Sequence, residues 1–377
     1  MHIVQIIDTV RFGGAQKMQL TLAEAIQGYG VEMSLISLEN NVQESHFPAQ
    51  LTALGVKVHY FPANNLLNLK RIRQMSLFLK QNQVDLVHTH LTYANIVGIL
   101  AARLAGIPVI ASFRNASIDS NTVRAFLETM LMRYGAAERM AVGHATAAAH
   151  KERMRGCSIV PIPNAVSLIA PMSPANRIAL RKKLVQDAKR PLAIAVGRLM
   201  PQKGYFDLIA AFDLVRKTHP DAALLIVGEG FLREQMMAEI QTRQLQNHLF
   251  MLGSRTDVPH LLAAADLYIS SSHWEGLSNA LLEAMAAGLT VVATCVNDTP
   301  NVVIPEAGIL VEPKQSTELA EAISHYLSNP EQRQKAGNAG RNHIAKEFNP
   351  AIWVQKMLQL YHSVLPDGWN TAVKELA

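Results

Sequence analysis

Glu275 and Glu283 bracket the segment Glu-Gly-Leu-Ser-Asn-Ala-Leu-Leu-Glu inside a longer run from His273 to Gly288, and the apolar spacing predicts a turn leading into a helix. Ser278 and Asn279 can cap that helix, while Leu281, Leu282 and Met285 pack it. The amide N–H groups of Gly276, Leu277, Ser278, Asn279 and Ala280 are then expected to point outward, as an anion site at a helix start. Glu275 lies before the first turn and Glu283 about one turn inside, so both carboxylates can face the same ligand. Acceptors for hydroxyls beside donors for phosphate suit a sugar nucleotide.

A second loop, Gly197-Arg-Leu-Met-Pro-Gln-Lys-Gly204, carries Arg198 and Lys203. Arginine offers a fork of donors and lysine a compact charge, and together they can neutralise a leaving diphosphate without a metal. Other basic residues between Arg177 and Lys203 read mostly as a solvated helix face, since no aromatics interleave them and no nucleic-acid motif appears. Near the N-terminus, Gly13 and Gly14 follow a strand and precede a helix expected near Gln16; they could admit a ligand close to the backbone or form a plain tight turn. His88 and His90 end a strand and, two residues apart, point to one side. They could contact sugar or acceptor hydroxyls, bind a metal, or serve as structural hydrogen-bonders. No Asp-x-Asp, His-Glu-x-x-His or cysteine cluster supplies further ligands, so no metal is expected. Gly228-Glu-Gly230 is too short to assign by itself.

These loops need elements to hold them. Strand-like runs alternate with helical patterns: His2–Ile7, Glu32–Leu38, Val56–Phe61, Val84–His88, Pro108–Ser112 and Arg139–Val142, then Leu192–Val196, Ala222–Val227, Leu249–Leu252, Leu267–Ser271, Thr290–Thr294 and Gly308–Val311. Repeated βα units imply an α/β fold with parallel sheets, and 377 residues suit two doubly wound, Rossmann-like domains. The prolines at 161, 163, 171 and 174 suggest an extended linker, which divides the chain into residues 1–168 and 169–349, with a helix over 350–377 crossing back after Pro350. Ligands of such sheets bind beyond the carboxyl ends of the strands, here in a central cleft between the two domains.

Val123, Phe126, Leu127, Met130, Leu131 and Tyr134 recur at helical spacing, a stripe that could rest on a membrane surface and is expected to face the core. The formal charge of +5 permits anionic partners without implying nucleic acid. No uncharged apolar run reaches the ~18 residues of a membrane span, and the start of the chain lacks a secretory signal. Cys157 and Cys295 form no disulfide framework, so the cytoplasm is the expected compartment.

Taken together, the motifs resemble the retaining glycosyltransferases of family 4, the group 1 enzymes of bacterial lipopolysaccharide and capsule synthesis, which have the GT-B fold. Glu275 to Glu283 resembles their Glu-x7-Glu signature, Gly197-Arg-Leu with Lys203-Gly204 their diphosphate loop, Gly13-Gly14-Ala-Gln their N-terminal glycine loop, and His88-Thr-His90 their His-x-His strand end. The resemblance implies a hexosyltransferase that moves a sugar from a nucleoside-diphosphate sugar, UDP-sugar foremost, to a glycan or glycolipid hydroxyl with retention and without metal or other cofactor. By the same resemblance, Arg198 and Lys203 hold the diphosphate, Glu283 the ribose, Glu275 the sugar, and Ser254 with Arg255 the base, near the amides of Leu277 and Ser278. Where many relatives have a histidine after the fifth strand, this chain has Phe113-Arg-Asn115, so Arg114 or Asn115 stands on the sugar or acceptor side. A lipid-linked acceptor implies peripheral attachment to the cytoplasmic face of the inner membrane. Two other readings remain: a UDP-sugar epimerase of the same architecture, and a catalytically silent nucleotide-binding protein.

Overall fold

The computed structural model describes residues 1–11, 13–40, 46–116 and 121–366, which form two compact units, Met1–Ala165 with the chain from Pro350 on, and Val166–Asn349. In the first unit β1 (His2–Ile7), β2 (Glu32–Ser37), β3 (Lys57–Tyr60), β4 (Leu86–His90), β5 (Val109–Phe113), β6 (Glu138–Ala141) and β7 (Val160–Pro161) alternate with α1 (Gly14–Ala25), α2 (Phe47–Ala53), α3 (Leu69–Gln81), α4 (Thr92–Ala105), α5 (Thr122–Tyr134) and α6 (His144–His150). The sheet is parallel, in the order β3-β2-β1-β4-β5-β6-β7. Helices cover both faces, so the central strands are apolar on both sides. Ile3, Ile7, Leu35, Leu86 and Ile110 pack with α1 and α2, whereas Val4, Ile6, Ile36, Val87 and Val109 pack beneath α3, α4 and α5.

The proline segment expected to be an extended linker instead begins with an edge strand. Val160–Pro161 pairs with β6, and Ile162 is buried. An edge tolerates proline because the missing N–H has no ladder partner to supply on the outer side.

The expectation that the apolar stripe of α5 faces the core is overturned. Its buried positions are Glu128 and Met132, while Val123, Phe126, Met130 and Tyr134 are exposed. The cause is electrostatic. Glu128 receives Arg153 at 3.2 Å and the Asn95 side-chain amide at 2.9 Å, and a buried carboxylate must keep such partners. That anchor turns the helix polar side inward.

In the second unit β8 (Leu192–Val196), β9 (Ala223–Val227), β10 (Leu249–Gly253), β11 (Leu267–Ser270), β12 (Thr290–Thr294) and β13 (Gly308–Val311) form a parallel sheet in the order β10-β9-β8-β11-β12-β13. Its helices are α7 (Pro174–Val185), α8 (Tyr205–Thr218), α9 (Arg233–Thr242), α10 (Val258–Ala264), α11 (Asn279–Ala286), α12 (Thr299–Val302), α13 (Ser316–Ser328) and α14 (Pro330–Glu347). Not all of the basic run on α7 is solvated: Arg181 is buried and reaches Asp266 at 3.0 Å, just before β11. In both sheets the order reverses direction beside the first strand of the unit, between β1 and β4 and between β8 and β11, which is where ligands of such sheets bind.

The chain returns to the first unit as α15 (Pro350–His362), whose Trp353, Val354, Met357 and Leu358 join the core beside α1. Its Tyr361 hydroxyl accepts from Gln5 Nε2 at 3.2 Å and lies 3.0 Å from His88 Nδ1, all three residues being buried. Tyr361→Phe strips both partners at once and should cost about 1–3 kcal/mol per orphaned group. An unchanged denaturation midpoint of the first unit would show that the hydroxyl does not tie α15 to the sheet.

Candidate active site

Of the side chains singled out in the second unit, Lys203 and Glu275 meet at the carboxyl ends of β8 and β11, Arg198 lies on the same loop as Lys203, and Ser254 and Arg255 follow β10. Loop 197–204 leaves β8, makes a tight turn at Pro201–Lys203 and enters α8. Loop 271–278 leaves β11 and enters α11, whose N-cap Ser278 accepts from Leu281 N. Glu275 joins the two. Its carboxylate is paired with Lys203 Nζ and accepts from Ser272 Oγ at 2.7 Å and Gln202 Nε2 at 3.2 Å, while its own N–H donates to Asn297 Oδ1 at 2.9 Å. The residue is only 7% exposed, so an unpaired charge there would be costly. A carboxylate has about four acceptor directions, and three are used, which leaves room for a ligand hydroxyl. Lys203 likewise keeps two of its three N–H donors.

Arg198 is exposed, and among the described residues its guanidinium has no hydrogen-bond or ion-pair partner. Gly276, Leu277 and Ser278 are buried, and the N–H groups of Gly276 and Ser278 have no acceptor among the described residues. Fixed donors of this kind, beside Lys203 and Arg198, form a surface an anion can occupy. Asn279 opens α11, and Glu283 is buried one turn along it, close enough to Tyr268 to help raise the phenol, though burial is the larger cause. Ser254 is exposed, and Arg255 is engaged by Asp257 through two contacts of 2.7 Å.

Several residues that shape this site carry no signal in the sequence. Ser272, Gln202 and Asn297 are ordinary polar residues whose role follows from contacts across 3, 73 and 22 positions. Gly228 and Gly230 did leave a trace, as the short Gly-x-Gly. A Cβ on Gly228, where φ is +143°, would come within 2.0 Å of the Gly197 carbonyl, and one on Gly230 within 2.3 Å of the Leu199 carbonyl. Loop 197–199 therefore rests directly on that backbone, and Leu199 N donates to Glu229 O at 2.9 Å.

The remaining residues belong to the first unit. His88 and His90 are buried, with ring centroids 4.1 Å apart, and both face protein. Arg114 donates through Nε (3.1 Å) and Nη2 (2.6 Å) to His90 Nδ1, which leaves the proton of His90 on Nε2, directed at Gln5 Oε1 at 2.6 Å. Gln5 donates to Tyr361, Tyr361 to His88 Nδ1, His88 Nε2 to Ser112 Oγ at 2.5 Å, and Ser112 to the Met140 sulfur. One direction of donation satisfies the whole chain with both imidazoles neutral. Burial pushes both imidazoles well below their usual range, with Arg114 adding to the effect. Arg114 also donates to Asn164 Oδ1 at 3.3 Å, and the exposed Asn115 accepts from His150 through its carbonyl.

Gly13 precedes α1 in extended backbone, and α1 starts at Gly14 rather than near Gln16. A Cβ on Gly13 would meet only the far end of the Gln16 side chain, Oε1 at 2.9 Å, which is free to shift. Both glycines belong to the first unit, and the Lys203–Glu275 pair belongs to the second. Phe12, between them and the strand, lies outside the described residues.

The first unit also contains a cavity of about 190 Å³, lined by Asp8, Tyr93, Arg114, Asn115, Glu128 and His150 among others, at the carboxyl ends of β1, β4 and β5. Asp8 accepts from Ala94 N at 2.6 Å, yet burial pushes its carboxyl from 3.8 up to about 7. A carboxyl raised in the folded state keeps a proton that the unfolded chain has lost, so its contribution to stability falls as pH rises from about 3.8 through about 7. Asp8→Asn removes that loss. At about pH 8 it should raise the melting temperature of the first unit by about 2–4 °C for each kcal/mol recovered, with little change at about pH 4. Equal shifts at both pH values would contradict a raised Asp8.

Residues 12–169 match the family described as Glycosyltransferase Family 4, and residues 176–343 that described as Glycosyl transferases group 1. Over 364 residues the chain is 28% identical to the UDP-Gal:alpha-D-GlcNAc-diphosphoundecaprenol alpha-1,3-galactosyltransferase of Escherichia coli, covering 92% of this chain and 93% of that one. It is 26% identical to the phosphatidyl-myo-inositol mannosyltransferase of Mycobacterium leprae, with 96% of each covered. In three dimensions it is similar to Anabaena HepE in complex with UDP-glucose, at a TM-score of 0.86 and 21% identity, over 96% of this chain and all of the other. Matched in order along both units, the chain is a glycosyltransferase of the GT-B fold and belongs to the group 1 enzymes of family 4.

Proposed function

We propose that this enzyme is a retaining, metal-independent hexosyltransferase that moves a sugar from a UDP-sugar to a hydroxyl of a lipid-linked glycan. The observation that carries the reading is the buried Glu275 carboxylate held by Lys203 beside the start of α11, with Arg198, unpartnered among the described residues, on the same loop as Lys203. Lys203, Arg198 and the amides of the turn supply positive charge for a leaving diphosphate, so no metal is needed to neutralise it. Glu275 takes a hydroxyl of the donor sugar, Glu283 the ribose, and the segment at Ser254 and Arg255 the base. Gly13 and Gly14 are assigned to donor binding, and Arg114 and Asn115 to the acceptor or sugar side.

Glu275 is a poor nucleophile here. Its oxygens are committed to Lys203, Ser272 and Gln202, and a covalent glycosyl-enzyme would have to strip a buried pair. Attack by the acceptor on the face from which the diphosphate departs, with the leaving phosphate taking the acceptor proton, avoids that cost and retains the anomeric configuration. The UDP donor and lipid-linked acceptor follow the relatives: the galactosyltransferase named for UDP-Gal and a diphosphoundecaprenol acceptor, the mannosyltransferase named for phosphatidyl-myo-inositol, and HepE solved with UDP-glucose. A lipid-linked acceptor brings the enzyme to the cytoplasmic face of a membrane.

The test is an assay with UDP-hexoses and an undecaprenyl-type diphosphate-sugar acceptor in chelator, with the product read by nuclear magnetic resonance. The expected product keeps the α configuration of the donor, and Lys203→Ala lowers kcat by about 10²–10³ in protein that is still folded at the assay temperature, with a lower melting temperature because the buried Glu275 loses its partner. An inverted product, or activity lost in chelator and restored by a divalent cation, would overturn the mechanism.

A further inference from the structure

We propose that the outer surface of the α3, α4 and α5 layer is a docking face for an anionic phospholipid bilayer. α3 packs on α4 and α4 on α5, over one face of the first sheet. On the solvent side, α5 presents Val123, Phe126, Met130 and Tyr134 at spacings of three, four and four, which is one stripe of a helix. Val123, Phe126 and Tyr134 are 75%, 66% and 68% exposed. α3 presents Leu69 and Leu77, with Leu69 79% exposed, and interleaves them with exposed Lys70, Arg73 and Lys80. Large exposed apolar side chains gathered on the helices of one layer mark an interaction site.

The charge around it selects the partner. From residue 61 to 137 the chain has eight Lys and Arg against three carboxylates. Of those three, Asp85 accepts the His2 amide, Glu128 is buried against Arg153, and Asp119 lies outside the described residues. Apolar side chains flanked by lysine and arginine, with no exposed carboxylate among the described residues of these helices, match a surface of acyl chains under anionic headgroups. A second copy of the chain fits poorly. A two-fold contact through this face would set Lys70, Arg73 and Lys80 of both copies together, with no exposed carboxylate among the described residues of these helices to answer them.

The layer is also braced against rotation. Arg124 on α5 donates to the Tyr93 hydroxyl on α4 at 2.7 Å and lies over its ring at 5.0 Å, while Glu128 holds the opposite side of α5 to Arg153. The outward stripe is thus set by the buried ion pair. This inference deepens the lipid-linked acceptor reading and is tested without sugar transfer.

The full-length protein is floated with phosphatidylcholine vesicles with and without phosphatidylglycerol, and its UDP affinity is measured alongside. Wild type should float only with the anionic vesicles and be released by salt. Lys70→Glu/Arg73→Glu should lower partitioning about tenfold or more. Phe126→Ser/Met130→Ser should lower it at low salt with the charges intact, and both variants should bind UDP as wild type does. Wild type that stays in the soluble fraction, variants that float equally well, or a wild-type dimer dissolved by the same substitutions would overturn the proposal. Flotation without UDP binding would leave the docking face standing and remove the UDP-sugar donor reading.

Discussion

A carboxylate that is almost wholly buried must be answered by donors, and in the second unit Glu275 imposes that requirement on everything around it. Lys203 and Gln202 answer from the loop after β8, Ser272 from the loop after β11, and Asn297 fixes the backbone from the segment after β12. Three connections at one edge of the sheet are thereby clamped to a single group. The clamp also fixes the spacing between a cation and the start of α11 before any ligand arrives. Preorganised donors of that kind need no rearrangement when charge develops on a leaving group.

The first unit solves the same problem without a net charge pair. Its strand-end histidines and Gln5 would be costly in an apolar core, and a single direction of donation from Arg114 through His90, Gln5, Tyr361 and His88 to Ser112 satisfies them all. The chain of bonds spans β1, β4, β5 and α15, so the returning helix completes the unit instead of merely covering it. Burial lowers Arg114 to about 10, which keeps it charged at neutral pH and able to donate.

Much of this was legible because short continuous apolar runs and glycine-proline punctuation are local signals. The strands His2–Ile7, Leu192–Val196, Thr290–Thr294 and Gly308–Val311 run as their apolar patterns imply, and Ser278 caps α11 as its position before an apolar run suggests. Spacing does not distinguish an inward stripe from an outward one. α5 has the periodicity of a core helix, yet Glu128 decides which side is buried, and its partners Arg153 and Asn95 lie 25 and 33 positions away. The His88-Thr-His90 pair shows the same limit, since its chemistry depends on Tyr361, a contact across 273 positions. Gln202 and Asn297 were silent because neutral side chains that hydrogen-bond over long separations leave no pattern in the chain, and Ser272, though only three positions from Glu275, is a neutral residue in no recognisable motif.

The central claim is that Lys203, Arg198 and the start of α11 form a diphosphate site that works without metal. Calorimetric titration of UDP, with GDP and ADP for comparison, into wild type and Lys203→Ala in the presence of chelator tests it most directly. The account predicts that UDP binds wild type in chelator and that Lys203→Ala weakens it by about ten- to a hundredfold, the loss of a charge-assisted contact. Absence of binding by all three nucleotides, or equal affinity in the variant, would contradict it.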